Sequence, residues 1–204
     1  MSGRLKIGIT GGIGSGKSYV CRLLNRRGLE VYDCDRAAKR LMRESETLRE
    51  AITALIGADA YHGDVLNKPV VTAFMMQSEA NTLAVNAIVH PAVFRDFEQS
   101  GMLWVESAII FESGLWQYVD RVLCVTAPRE VRIQRVMSRD SISREKTLEW
   151  MDKQMSQDEV LARSDYEIVN DGLADLDNQV DRLLALLAEE QNKDNVLPSI
   201  TRKK

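Results

Sequence analysis

The feature that most constrains this chain is a run of eight residues near its start, Gly11-Gly12-Ile13-Gly14-Ser15-Gly16-Lys17-Ser18, directly behind the apolar stretch Leu5-Lys6-Ile7-Gly8-Ile9-Thr10. It has the form G-x-x-x-x-G-K-S. Its glycines let the backbone curl until several N–H groups face one point, where side chains would obstruct a large anion. Lys17 can then reach the outer phosphates of a nucleoside triphosphate, and the Ser18 hydroxyl offers one coordination position to Mg2+. A helix beginning here adds the positive end of its dipole. The pattern has force only between a strand and a helix. Residues 5–10 supply the strand. Lys17 to Arg27 supplies the helix, with Val20, Cys21, Leu23 and Leu24 as its buried stripe and Gly28 as its stop. Gly12, Ile13, Gly14, Ser15, Gly16, Lys17, Ser18 and Tyr19 are the expected triphosphate-binding residues.

The rest of the chain narrows the setting. At 204 residues it is long enough for one well-cored domain with a smaller insertion. A net charge of −3 gives no general attraction to nucleic acid or to an anionic membrane, and neither is an expected partner. No apolar run approaches the length of a membrane span, and Met1-Ser2-Gly3-Arg4 leads into the first strand without an apolar leader. Cys21, Cys34 and Cys124 form no C-x-x-C pair and leave one over, which fits a reduced cytoplasmic protein. A monomer or small homo-oligomer is expected.

Periodicity places the other elements. Leu29 to Tyr32 reads as a short strand, and Arg36 to about Gly57 as one helical stretch. Ala58 to Val71 has no strong period. Helix returns from Thr72 to about Val89, and Pro91 suits the first position of another. Met102 to Ile110 and Asp120 to Thr126 read as buried strands. Pro128 opens a helix to Arg139, followed by a charged segment to Lys146. Tyr166 to Asn170 reads as the last strand and Leu173 to Glu190 as the final amphipathic helix, with 191–204 a polar tail. Short strands alternating with helices predict an α/β fold with a parallel sheet covered on both faces, five-stranded on this count. Ligands in such sheets bind at the carboxyl ends of the strands.

A phosphate loop serves switches, motors and kinases. A guanine switch needs N-K-x-D and D-x-x-G. Asn67-Lys68-Pro69-Val70 fails at its last position, and no Asp is followed by Gly three residues later. A motor needs a larger chain or coupling elements, so a small-molecule kinase fits best. Such an enzyme needs a carboxylate at the acceptor hydroxyl and cations over the transferred phosphoryl. Asp33 and Asp35 end the second strand. Asp33 is the expected catalytic carboxylate, and Asp35 is the better placed of the two to cap the following helix. Arg132, Arg135 and Arg139 share one helical stripe, with Arg144 just beyond, and a mobile segment carrying them would exclude water. Taken singly, Arg129 and Arg132 suit a solvated face, while Arg139 and Arg144 suit a lid. Glu106, in the central strand, is the candidate for holding a Mg2+-bound water, the alternative being a charge at a strand end. His90 is more often a packing or capping residue than a ligand, and Cys34 should face the core and be inert.

These pieces resemble one family. Thr10 through Ser18, Val31-Tyr32-Asp33-Cys34-Asp35, Ile88-Val89-His90-Pro91-Ala92-Val93, Ile109-Ile110-Phe111-Glu112, Gln134-Arg135 with Arg139, Gln154, and Ile168-Val169-Asn170-Asp171-Gly172 closely resemble dephospho-CoA kinase, in order from Leu5 to Leu187. The loop alone is shared by many kinases; the ordered set is specific. The resemblance implies a P-loop kinase fold with a single domain over 1–190, a helical acceptor subdomain over about 36–99 and a lid over about 132–155. It implies transfer of the ATP γ-phosphoryl, with Mg2+, to the ribose 3′-hydroxyl of dephospho-coenzyme A. Asp33, Lys17 and Arg139 are then the catalytic residues. Asn170 and Gly172 join the loop and Arg139 at ATP, while Asp33, Asp35, His90 and Arg144 meet the acceptor and Ser18 and Glu106 the metal. Another small P-loop kinase acting on a nucleotide, nucleoside or metabolite is the alternative enzyme, and a nucleotide switch without phosphotransfer the alternative class. Three positions depart from the family pattern: Tyr19 after the Lys-Ser pair, Ala108 where proline is usual, and no arginine between Asp59 and Pro69, where Lys68 is the only cation.

Overall fold

A computed structural model describes residues 4–196. The chain divides into two compact units, one formed by residues up to Val31 and from Met102 onward, the other by Tyr32–Gly101.

In the first unit, β1 (Ile7–Thr10) leads into α1 (Lys17–Arg26) and then to β2 (Val31–Asp33), which crosses the boundary between the units. The second unit holds α2 (Cys34–Glu44), α3 (Glu46–Ile56), the short strands β3 (Tyr61–His62) and β4 (Val65–Leu66), α4 (Lys68–Gln77) and α5 (Glu79–Ser100). The first unit resumes with β5 (Trp104–Glu106), β6 (Arg121–Thr126), α6 (Arg129–Asp140), α7 (Arg144–Asp152), α8 (Gln157–Ala162), β7 (Tyr166–Val169) and α9 (Leu176–Val196). Five strands form one sheet in the order β2-β5-β1-β6-β7, with β1 parallel to β5 and β6, and β6 parallel to β7. The expected α/β architecture and five-stranded sheet are present.

The sheet's core explains why these runs are apolar. Ile7, Ile9, Leu123, Val125 and Ile168 from three neighbouring strands pack with Val20, Leu23 and Leu24 of α1 and with Val180, Leu183 and Leu187 of α9. Every side chain in that set is at most 5% exposed, so each of the larger ones contributes about 1.5–3 kcal/mol of burial. The same core fixes the direction of β1, and with it the point at which the glycine-rich loop leaves the sheet.

In the second unit, α5 packs on α2, α3 and α4. Pro91 does not start a helix there; it lies inside α5, which runs unbroken. Val85, Val89, Val93 and Phe97 form a buried stripe at four-residue spacing on both sides of it. That continuous apolar face outweighs the roughly 3 kcal/mol cost of an interior proline. The helical stretch expected from Arg36 to Gly57 is broken at Ser45. Its backbone is extended, it ends α2, and its hydroxyl accepts from Leu48 N–H at 3.3 Å to open α3. The aperiodic stretch after Ala58 contains the β3–β4 hairpin, and α4 begins at Lys68, four residues before the expected start.

Elsewhere β5 is limited to Trp104–Glu106, because residues 107–114 turn back on themselves through Ser113 N–H to Ile109 O and Gly114 N–H to Phe111 O. Helix α8 was not expected; a reciprocal box between Ser156 and Glu159 starts it. Helix α9 continues to Val196, taking in the first residues of the expected tail, and residues 197–204 lie outside the described residues. Cys34 faces the core, as expected, at 8% exposed.

Candidate active site

The glycine-rich loop leaves β1 at Thr10 and enters α1 at Lys17. Gly16 is the N-cap of α1 at φ 94°, ψ 25°, a left-handed conformation that bulkier residues adopt only at a cost. Gly12 is required for a different reason. A Cβ there would overlap the guanidinium of Arg132, so the absence of a side chain is what lets that cation lie against the loop. Within the loop Ser15 N–H donates to Gly12 O at 3.1 Å, while the amides of Gly14 and Gly16 donate to no protein acceptor among the described residues. Two amides left over in a curled loop at a helix N-terminus make an anion nest.

Lys17 Nζ donates to Gly11 O at 2.7 Å and lies 3.8 Å from Glu106 Oε1. Glu106 ends β5 in register with Ile9 of β1, which carries its carboxylate to the end of the sheet where the loop begins. Lysine and glutamate are both largely buried, with side chains 11% and 16% exposed. The Ser18 hydroxyl and Tyr19 are exposed on the first turn of α1, and the Tyr19 ring lies 5.4 Å beneath the guanidinium of Arg22. Ser18 and Glu106 offer hard oxygen donors, and no group of three or more His, Cys, Asp or Glu side chains suited to a metal occurs among the described residues. That sparse oxygen set fits Mg2+, which keeps several waters and binds largely through substrate phosphates.

Helix α6 does not present one uniform arginine stripe. Arg132 is 6% exposed rather than solvated, and burial lowers its pKa. Its Nε donates to Ile13 O at 2.9 Å and its Nη1 to Gln157 Oε1 at 3.4 Å. Arg135 Nη1 donates to Asn170 O at 3.0 Å, and its Nη2 to Asn170 Oδ1 at 3.2 Å. Asn170, 7% exposed at the end of β7, in turn donates from Nδ2 to Ser15 O at 2.9 Å. Thus Asn170 reaches the loop as a brace, joining it to α6. Gly172 follows in an exposed turn that the Asp171 carboxylate closes by accepting from Leu173 and Ala174 N–H, each at 2.8 Å.

The other two arginines stand apart from the loop. Arg139 is exposed and forks onto Asp140 at 2.9 and 2.7 Å. Arg144 forks onto Glu130 at 2.6 and 2.8 Å and, with Gln134, draws that carboxyl down to about 2. Arg129 keeps the expected solvated position, 3.9 Å from Asp152. Sequence reasoning counts Arg135 among the lid cations and names Gln154 only within the family resemblance, and it gives no role to Gln157. Ile13 N–H donates to Gln154 Oε1 at 2.8 Å, and Ala127 N–H donates to Gln157 Oε1 at 3.2 Å.

In the second unit Asp33, not Asp35, caps α2: its Oδ1 accepts from Arg36 N–H at 2.8 Å. The strand ends at Asp33 itself, so Asp35 falls in the first helical turn, exposed. Tyr32, beside Asp33, is buried, and its hydroxyl donates to Asp96 Oδ2 at 2.6 Å. Arg40 Nη2 donates to the same oxygen at 2.5 Å. Burial, reinforced by the Asp96 carboxylate, drives the Tyr32 phenol far above its ordinary pKa. His90 stacks on Phe94 at 5.9 Å between ring centres within α5, and burial lowers its pKa.

The chain is similar to known proteins along most of its length. The family model for dephospho-CoA kinase matches residues 5–175. A dephospho-CoA kinase of Bacteroides fragilis is 36% identical over 193 residues, covering 91% of this chain and 94% of its own. One from Porphyromonas gingivalis is 40% identical over 173 residues, covering 81% and 86%. A Thermus thermophilus protein of known structure superposes with a TM-score of 0.75 at 32% identity, over 91% of this chain and 97% of its own. With the family model matched over residues 5–175 and relatives 36% and 40% identical over most of its length, the chain belongs to the dephospho-CoA kinase family.

Proposed function

We propose that the protein transfers the γ-phosphoryl group of ATP to the ribose 3′-hydroxyl of dephospho-coenzyme A, giving coenzyme A and ADP. The observation that carries this reading is the family match over residues 5–175, which begins at β1 and includes the whole glycine-rich loop. The amides of Gly14 and Gly16 and the N-terminus of α1 take the phosphates, and Lys17 exchanges Gly11 O for a phosphate oxygen. Ser18 and Glu106 would hold Mg2+, directly or through water; the ion neutralises charge on the donor's phosphates when bound.

Asp33 orients the acceptor hydroxyl and takes its proton. Its capping bond uses Oδ1, which fixes the carboxylate plane and leaves Oδ2 for the hydroxyl. Because phosphoryl transfer passes through a loose transition state, placement and charge matter more than the strength of this base. Arg139 and Arg144, on either side of the α6–α7 junction, are the lid cations, and each would leave its present carboxylate for a phosphate. Asn170 and Gly172 border the adenine, and Asp35 and His90 belong to the helical unit that takes the acceptor. The compartment that suits three cysteines without a C-x-x-C pair is the cytoplasm; among the described residues no helix is long and apolar enough to cross a membrane.

The test is ADP release with dephospho-coenzyme A, with AMP, with other nucleosides and with no acceptor. Release that depends on dephospho-coenzyme A supports the assignment. Release with another acceptor alone makes the enzyme a different small-molecule kinase, and tight ATP binding without any transfer makes it a switch.

A further inference from the structure

We propose that Gln154 is a positioning residue for the phosphoryl donor: by accepting the Ile13 N–H it fixes the shape of the loop that receives the triphosphate. The inference rests on the kinase reading above. Its starting point is a pair of bonds to consecutive peptide groups. The Gly12–Ile13 peptide donates its N–H to Gln154 Oε1 at 2.8 Å, and the Ile13–Gly14 peptide gives its C=O to Arg132 Nε at 2.9 Å. Glycine stands on either side of Ile13, so the backbone itself does little to hold these planes; the Gly12–Ile13 peptide is held at its carbonyl by Ser15 N–H at 3.1 Å and at its N–H by Gln154, and the Ile13–Gly14 peptide by Arg132. A turned plane would present a carbonyl oxygen where the nest needs N–H groups, and the oxygen would repel a phosphate.

The pin is itself anchored. Gln154 N–H donates to Met151 O at 3.2 Å, and Met155 N–H donates to Glu112 Oε1 at 3.1 Å. Ser156 and Glu159 close a capping box, and Gln157 Oε1 accepts from Ala127 N–H and from Arg132 Nη1. Residues 154–157 therefore meet the loop, the turn after β5, the end of β6 and α6 within four positions. An amide oxygen also suits the place chemically. It accepts a hydrogen bond without bringing a negative charge beside a polyanion, as a carboxylate would.

A residue that only packed the α7–α8 junction would change thermal stability and leave the kinetic constants alone. Gln154→Met keeps length and removes the acceptor. With ATP and dephospho-coenzyme A, it should raise KM for ATP about tenfold and lower kcat while leaving KM for dephospho-coenzyme A within twofold, tenfold being the loss of one half-buried hydrogen bond. Both kinetic constants for ATP within twofold of the parent would overturn the proposal. Should Gln154→Met not fold, amide exchange of Ile13 by NMR in the unaltered protein decides. Protection without nucleotide supports the pin, and exchange at the open-chain rate overturns it. Failure of the unaltered protein to transfer phosphate would sink the kinase reading instead, and the Ile13 exchange rate would still report on the pin alone.

Discussion

Gly16→Ala tests the brace between loop and sheet by forcing two residues to compete for one space. Gly16 sits at φ 94°, where an L side chain costs about 1–2 kcal/mol. The new methyl would overlap Asn170 Nδ2, so Asn170 must rotate out of a site in which it is only 7% exposed. It then gives up its bond to Ser15 O, worth about 1 kcal/mol, and the one accepted from Arg135, worth about 1.5–3 kcal/mol because the donor is charged. Gly16→Ala should therefore cost about 3.5–6 kcal/mol by these magnitudes. Asn170→Ala forfeits the same two bonds without backbone strain, about 2.5–4 kcal/mol. In the double variant the methyl enters vacated space and the bonds are lost only once. It should cost no more than Gly16→Ala alone, about 2.5–4 kcal/mol less than simple addition of the two effects. Urea unfolding of the four proteins, followed by circular dichroism, measures this directly. A double variant whose loss equals the two single losses within about 0.5 kcal/mol would show that the overlap does not occur and that Asn170 is not a brace.

Replacing Lys17 with Met removes the charge at the head of α1 and should lower kcat by about a hundredfold or more in the ADP-release assay, as loss of preorganised charge at a reacting centre does; a drop under about fivefold would take Lys17 out of catalysis. For Asp33→Asn, turnover should collapse while the Kd for ATP stays within about twofold and the melting temperature barely moves, because asparagine caps a helix as well as aspartate. Retained turnover would remove Asp33 from its role. Asp96 gives a pH signature. Burial raises its pKa, but the hydrogen bonds from Arg40 and Tyr32 outweigh burial and hold it below the ordinary carboxylate value. A folded pKa below the unfolded one stabilises the protein above the unfolded value, about 3.9, and that share is lost as pH falls through the folded value. Asp96→Asn should be less stable at pH 7 and show a shallower loss of urea midpoint as the pH falls through and below the unfolded value; an unchanged acid slope would refute the linkage.

How much of this was legible in the sequence depends on how far apart the interacting residues lie. The loop, its strand and its helix are adjacent in the chain, and their signals are local: apolar run, glycines, then helical period. The α/β class follows from the same local alternation. Local signals also misled. Proline at position 91 reads as a helix start, yet a stripe of valines and Phe97 on one face carries the helix through it. Asp35 stands immediately before the helical pattern that opens at Arg36, but the helix begins two residues earlier, at Cys34, which hands the cap to Asp33. The spacing of Ser156 and Glu159 carries a local helix-start signal, but α8 is only six residues long and follows a charged stretch without helical apolar period.

What no local pattern carries is the side of α6 that meets the loop. Helical spacing puts Arg132, Arg135 and Arg139 on neighbouring faces, but only the fold decides which of them faces Ile13, 119 residues away in the chain for Arg132. The outcome has an electrostatic consequence that net charge conceals. A chain of net charge −3 gathers Lys17, Arg132 and Arg135 around one loop. Glu106, 3.8 Å from Lys17, is a close carboxylate for the lysine, whereas Arg132 meets neutral oxygens of Ile13 and Gln157. A guanidinium taken from water without a carboxylate is costly, and the cost is tolerable where an anion completes the site. The loop thus carries an excess of partly dehydrated positive charge that folding alone would not select. Under the proposed function a bound triphosphate would balance it, so the charge that costs stability in the empty protein would strengthen the hold on the donor.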